Sequence, residues 1–206
     1  MPLQNRVDPG GTIFATPARG TFMGNRGGAL HNDRREITRP YASRRWITCV
    51  LEFRGRNRVV MSPNRYTELF FLDEAVAFSA GHRPCAECRR ERFNGFKQAW
   101  RLSDERAAPP LADEMDREAH PARIRQKAKV TYQAPLDSLP DGCFVQIESS
   151  SYLVLGANLL LWSPEGYVAK LSRPGDAWMT VLTPEPFVRC LRQGYRPDVH
   201  PSALEL

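Results

Sequence analysis

One stretch in the first half of the chain alternates between the two faces of a strand, and this alternation predicts a β-strand. Arg44–Phe53 is rich in β-branched and aromatic residues, and the turn-forming residues 54–57 predict a hairpin that returns through residues 58–61. Tyr66–Leu72 is a second strand candidate. The first of these strands contains Cys49.

Helical spacing of apolar residues follows the second strand. Asp73 is suited to capping a short helix, and Gly81 is suited to ending it. A longer helix is predicted over Arg89–Leu102, with three aromatic residues on its inward face: Phe93, Phe96 and Trp100. The segment between the two helices contains a Cys-x-x-Cys motif.

The pattern changes in the second half of the chain. Leu111–Ala119 predicts a short helix that ends before Pro121. From Val130 onward, short apolar runs are separated by closely spaced turn signals, which predicts a small antiparallel barrel or sandwich. A final helix is expected over Pro186–Gln193.

Composition restricts the class of protein. The 206-residue chain is 42% hydrophobic and 10% aromatic, as expected for a globular protein and not for a disordered one. No apolar run approaches the ~20 residues of a membrane helix, and the start does not resemble a secretory signal. Five cysteines, an odd number, do not favour a disulfide framework. We therefore expect a cytoplasmic protein with reduced thiols and no membrane partner.

The positive charge is concentrated near the start of the chain. The formal net charge is +6, and residues 1–60 contain eleven arginines against four acidic residues. This asymmetry predicts a nucleic-acid partner, with DNA favoured, although a general bias towards arginine would also give an arginine-rich chain. Trp46 and Tyr66 lie near these arginines and could stack on bases. The arginines predicted to contact nucleic acid are Arg26, Arg44, Arg45, Arg54, Arg56, Arg58, Arg83, Arg89 and Arg90.

The Cys-x-x-Cys motif consists of Cys85 and Cys88, and two thiols at this spacing can bind one soft metal ion. A structural zinc site needs four cysteine or histidine ligands. Cys49 is a candidate because the chain is expected to bring its strand back towards the motif. His31 and His82 are the two candidate histidines. Cys143 and Cys190 are expected to be ordinary buried residues.

The motif lies in a segment that resembles a known family. Residues 68–90, ELFFLDEAVAFSAGHRPCAECRR, are similar to the end of the Ada-type metal-binding domain, the zinc module of DNA methylphosphotriester repair proteins. Residues 24–31, GNRGGALH, are similar to a variant found as an appendage of some bacterial nucleases, in which a histidine replaces the first cysteine. The resemblance covers about residues 23–100, and the whole chain also resembles a bacterial family with the same zinc half.

The resemblance implies bound Zn²⁺ with four ligands: His31, Cys49, Cys85 and Cys88. His31 and Cys49 are 18 positions apart, whereas the first two ligands of the family are only a few residues apart. His82 is therefore the alternative histidine ligand.

These predictions combine into an α+β fold, with a small zinc-stapled strand/helix subdomain followed by a small antiparallel β barrel or sandwich. We expect an irregular N-terminal arm over residues 1–22 and an Ada-like zinc-binding domain over 23–103. A linker with a short helix follows over 104–129, and a β-rich domain with a C-terminal helix and tail occupies 130–206.

A second chemical possibility lies in the predicted short helix. Asp113, Asp116 and His120 are spaced so that they share one helix face. Carboxylates and a histidine on one face could bind a hard metal and activate water for phosphodiester cleavage, although such a face is more often only solvated. These residues are the candidate catalytic set.

Three functions remain open at this point. The first is a zinc protein that binds nucleic acid through its basic N-terminal half. The second is a metal-dependent nuclease or DNA-repair enzyme that uses Asp113, Asp116 and His120. The third is a protein-interaction module stabilised by zinc, in which the arginines only maintain solubility. Whether the protein is an enzyme, and its oligomeric state, are left open.

Overall fold

The computed structural model describes residues 1–55 and 59–206. In this part of the chain the fold is α+β, with two six-stranded sheets, a small two-stranded hairpin and four α-helices. The predicted hairpin across residues 54–61 includes residues 56–58, which lie outside the described residues.

The first sheet is built from the N-terminal half of the chain. Its strands are β1 (Gln4–Val7), β2 (Ile13–Ala15), β3 (Phe22–Asn25), β4 (Ile47–Val50), β5 (Leu69–Phe71) and β6 (Arg83–Pro84). Their order across the sheet is β2-β1-β5-β3-β4-β6. The strand predicted over Arg44–Phe53 is shorter in the structure because β4 pairs with a four-residue partner, β3, from Ile47 to Val50.

The N-terminal arm differs from the irregular segment that the sequence predicted. β1 and β2 form an antiparallel hairpin, and β1 also pairs in parallel with β5. Val7 at the end of β1 is 2% exposed, so this hairpin contributes to the core.

The two central helices begin close to their predicted positions. Helix α1 covers Glu74–Ser79, and the carboxylate of Asp73 accepts a hydrogen bond from the Val76 N–H at 2.8 Å, as an N-cap does. Gly81 has a φ of +87°, which lets the chain leave the helix in the left-handed region. Helix α2 covers Arg90–Ser103 and buries the three predicted aromatic residues.

Helix α3 covers Ala112–Arg123 and continues past the predicted stop at Pro121. Arg123 in its last turn is buried and is anchored by Asp116, about two turns earlier in the same helix. The helix leads directly into a hairpin of β7 (Ile124–Arg125) and β8 (Ala128–Lys129).

The C-terminal half forms one open antiparallel sheet. Its strands are β9 (Tyr132–Pro135), β10 (Phe144–Ile147), β11 (Ser150–Leu155), β12 (Asn158–Ser163), β13 (Gly166–Ser172) and β14 (Trp178–Val181), and helix α4 (Glu185–Arg192) follows. Their order is β13-β12-β11-β10-β14-β9. Of the two predicted alternatives, a barrel or a sandwich, the closed barrel is wrong, because β13 and β9 are the two edges of this sheet and do not pair with each other.

The hydrophobic core draws on both halves of the chain. In one cluster Phe78 and Phe96 pack with Phe187. The other cluster contains both Phe71 of β5 and Phe144 of β10. The domain boundaries predicted after residues 103 and 129 stay predictions. Both hydrophobic clusters include residues from before residue 103 and from after residue 129. None of the described helices is long and apolar enough to span a bilayer.

Candidate metal centre

The position of Cys49 follows from the pairing of β4. This strand lies between β3 and β6 in the first sheet, and Cys49 is opposite Met23 of β3. Its side chain is half-buried. Because β6 runs parallel to β4, the residues after β6 emerge beside the same end of β4.

The Cys-x-x-Cys motif begins where β6 ends. The backbone N–H of Cys85 donates to the carbonyl of Thr48 at 2.9 Å, which continues the parallel ladder and fixes Cys85 next to the strand that carries Cys49. Cys88 lies in the turn just before helix α2. The motif is therefore held by a sheet edge on one side and by a helix start on the other.

The three thiol sulfurs of Cys49, Cys85 and Cys88 lie within 4.8 Å of one another, and this group could hold a metal ion. Tetrahedral zinc with sulfur ligands at about 2.3 Å would place two sulfurs roughly 3.8 Å apart. The observed spacing is thus close to what one cation needs, and thiolate sulfur is a donor that soft and borderline metals accept.

Hydrogen bonding differs among the three sulfurs. The pKa of the Cys85 thiol is lowered, because the thiols of Cys49 and Cys88 and the backbone N–H groups of Cys88 and Glu87 donate to its sulfur. The Glu87 N–H lies 3.4 Å from that sulfur. The pKa of the Cys49 thiol is raised, first because it donates to Cys85. The turn therefore stabilises a thiolate at Cys85.

A cleft of about 680 Å³ opens beside the sulfurs, and all three cysteines line it together with Asn25, Tyr66 and Glu68. A second cleft of about 720 Å³ adjoins it, since both are lined by Asn25, Ile47, Tyr66, Cys85 and Glu87. Arg19 lines the first cleft and Arg45 lines the second. Glu68 directly precedes β5, and no local pattern in the sequence marks it as a residue of this site.

His31 and His82 lie outside the cysteine group. The Nδ1 of His31 is 2.6 Å from the Thr67 hydroxyl, and its Nε2 is 3.2 Å from the Ser62 carbonyl. His82 is fully buried, with its Nε2 accepting from Arg26 at 3.2 Å and its Nδ1 3.3 Å from the Ala77 carbonyl. Within residues 1–55 and 59–206, the cysteine group contains neither histidine.

Among the described residues, the three candidate catalytic side chains do not form a group that could hold one metal ion. Asp116 is 1% exposed and lies against Arg83 and Arg123, at 2.7 and 3.5 Å. Asp113 is exposed and pairs with Arg45 at 3.1 Å. The ring of His120 packs edge-on against Tyr41 and Trp46. Asp116 points inward, where Arg83 of β6 and Arg123 of the same helix already neutralise its charge.

The predicted nucleic-acid contacts fall into two groups. Three of the arginines are buried: Arg26 donates to His82, Arg83 pairs with Asp116, and Arg89 pairs with Glu74 at 2.8 Å. The exposed ones are Arg44, Arg45, Arg54 and Arg90. Arg56 and Arg58 lie outside the described residues. An arginine count cannot separate these groups, because burial depends on which elements pack around each side chain.

The resemblance to the Ada-type domain is supported only in its cysteine part. The structure brings together the three predicted cysteine ligands, in a group that could hold a metal ion, and this alone does not establish that domain. Comparison with known proteins gives no matching family model, no matching curated protein and no matching solved structure.

Proposed function

We propose that the protein binds one Zn²⁺ ion through Cys49, Cys85 and Cys88 and binds nucleic acid, with DNA favoured, in the grooves beside that site. Three sulfurs within 4.8 Å of one another suit zinc better than a hard cation such as Mg²⁺, which prefers oxygen ligands. The ion would tie β4 to the turn before helix α2.

The fourth ligand of this proposed site is a water molecule. Among the described histidine, cysteine, aspartate and glutamate side chains, the cluster contains only the three cysteines. The sulfurs line a wide cleft, so solvent reaches them. Zinc with three protein ligands and one water can act as a Lewis acid as well as a structural ion.

The observation that carries the nucleic-acid part is the pair of adjoining clefts at the cysteine motif. Exposed arginines stand at both, Arg19 at one and Arg45 at the other, and Tyr66 lines the two. Among the described residues, the first cleft also has three glutamates in its lining, whereas the second has only Glu87, so the second cleft is the more cationic of the two. A groove with cationic side chains and an aromatic ring suits a sugar-phosphate backbone with bases that can stack. The surplus of positive charge in residues 1–60 supports the same partner.

Fluorescence anisotropy with short single-stranded and double-stranded DNA and RNA, over a range of salt concentrations, tests this proposal. We expect binding whose logarithmic affinity falls linearly with the logarithm of salt concentration. Arg19→Ala and Arg45→Ala should each weaken binding and reduce the salt slope by about one, because each removes one exposed cation from a cleft. Arg192→Ala is the matched control, because Arg192 is exposed on helix α4 in the neutral half of the chain. Absent or salt-independent binding would refute the proposal.

A further inference from the structure

A third cavity, of about 410 Å³, lies on a different part of the molecule. It is enclosed by the loop between β1 and β2, residues 37–40, Trp46 and the β7–β8 hairpin. It shares no lining residue with the two clefts beside the cysteines. Among the described residues, its lining includes no acidic side chain and five cationic ones: Arg26, Arg39, Arg123, Lys127 and Lys129.

Two of these cations are buried at the inner side of the cavity. Arg26 and Arg123 are each 2% exposed, and their guanidinium groups lie 4.2 and 5.6 Å from the ring of Trp46. Arg26 donates to His82 Nε2 and to the carbonyls of Pro40 and Gly11, which are neutral acceptors. Its charge therefore has no ion-pair partner among the residues that the structure describes.

The negative charge near the cavity is smaller than the positive charge. Arg123 shares the carboxylate of Asp116 with Arg83, and its Nε atom is buried without a hydrogen-bond partner. The ammonium of Lys129 donates to the carbonyl of Ser79 at 2.5 Å. Asp8 is a further acid whose charge acts on Arg26 and Lys129. Its carboxylate accepts from the Thr12 N–H and forms no ion pair within 4.0 Å in the described part of the chain.

Burial, together with repulsion between neighbouring cations, lowers the pKa values of two of these side chains. Burial, and then repulsion from Arg26, lowers the pKa of Lys129 to about 7, although Asp8 acts in the opposite direction. Burial likewise lowers the pKa of Arg26 to about 9. Buried cations in proteins are normally paired, so a set with too few carboxylates is suited to an anion from outside.

We propose that this cavity is a binding site for a phosphate group, supplied as free phosphate or as the terminal phosphate of a monoester. A tetrahedral oxyanion offers several acceptor oxygens, and guanidinium groups bind such oxygens with two donors at once. Lys127 and Arg39 are exposed and stand where a ligand enters, whereas Arg26 and Arg123 form the inner wall. A volume of about 410 Å³ lies in the range of small-ligand pockets. Arg26, which the sequence predicts to contact nucleic acid, lines this cavity instead.

Isothermal titration calorimetry on the full-length protein tests the site, with three probes: inorganic phosphate, a nucleoside monophosphate, and a short oligonucleotide with or without a 5′-phosphate. We expect saturable binding of one equivalent of phosphate or monophosphate. Preference for the 5′-phosphorylated oligonucleotide over its unphosphorylated form would assign the phosphate to a nucleic-acid end, and binding of free phosphate alone would assign it to a small ion.

Lys127→Ala and Arg39→Ala should each weaken phosphate binding roughly tenfold or more, as expected for loss of a charge-assisted contact. Arg125→Ala is the matched control, since Arg125 is exposed on the same β7–β8 hairpin but does not line the cavity. An equal loss in Arg125→Ala would show that only general surface charge is involved and would overturn the proposal. Absence of saturable binding by every probe would also overturn it. Cys85→Ser should keep the phosphate affinity, which separates this site from the proposed zinc site.

Discussion

The carboxylate of Asp116 lies 2.7 Å from the guanidinium of Arg83, and the two side chains are only 2% and 5% exposed. Arg123 contacts the same carboxylate. We therefore expect Asp116→Asn to lower the free energy of unfolding by about 3–5 kcal/mol, because it leaves two buried cations without a carboxylate. Urea unfolding measures this. Asp113→Asn, at an exposed ion pair, should cost no more than about 1 kcal/mol. Similar small costs for both variants would contradict a structural role for Asp116.

Replacing any one of the three clustered cysteines should remove the metal. We expect Cys49→Ser, Cys85→Ser and Cys88→Ser to lose stoichiometric zinc in elemental analysis, because three sulfurs supply all the protein ligands of the proposed site. Cys190→Ala should keep the zinc, since Cys190 is buried in the core with Phe187 and away from the cluster.

His31→Ala should also keep its zinc, although the sequence resemblance implied His31 as a ligand. The ring of His31 is held by Thr67 and Ser62, so its loss is expected to lower stability and not metal content. Loss of zinc in this variant, with the fold intact by circular dichroism, would restore His31 as a ligand.

Arg89 and Arg90 are neighbours in sequence with opposite environments. Arg89 is buried against Glu74 and Asp198, at 2.8 and 3.1 Å, whereas Arg90 is exposed. We expect Arg89→Ala to lower the free energy of unfolding by about 3 kcal/mol, because the negative charge of the buried Glu74 carboxylate is then less well neutralised. Arg90→Ala should change it by no more than about 0.5 kcal/mol. Thermal and urea unfolding of the two variants would distinguish them, and equal effects would contradict the observed burial.

Stability should fall as the solution becomes more acidic than pH 6.5, because of His82. Burial, and then the charges of Arg26 and Arg123, hold the pKa of His82 well below its ordinary value of 6.5. The unfolded chain therefore binds a proton at this residue first, so stability present above pH 6.5 is lost as the pH falls towards the folded-state pKa. The slope contributed is at most about 1.4 kcal/mol per pH unit.

His82→Gln is the variant that isolates this effect, and its stability should depend less on pH between 6.5 and 5. Asp73 acts in the opposite sense, because burial raises its pKa to about 6 and its stabilising contribution is present at low pH and is lost as the pH rises through 6. Asp73 is present in both the wild-type protein and the His82→Gln variant. The difference between their plots of unfolding free energy against pH therefore reports on His82. Parallel curves would show that His82 does not control the acid response.

Local patterns in the sequence were sufficient to predict several elements. Asp73 as an N-cap, Gly81 as a helix stop and the inward aromatic face of α2 depend on neighbours a few residues apart, and the structure confirms them. The Cys-x-x-Cys motif and the placement of Cys49 in a strand are local in the same way. Such features follow from backbone geometry and side-chain spacing, which one stretch of sequence contains.

The tertiary structure decided the rest. Cys49 meets Cys85 only because β6 pairs in parallel with β4, a contact between strands that are far apart in the sequence. The inward direction of Asp116 and the separation of Arg89 from Arg90 depend on which elements pack against them. The cationic cavity needs the N-terminal hairpin, Trp46 and the β7–β8 hairpin to meet. Long-range pairing and burial set these relationships, and the spacing of residues along the chain does not specify them.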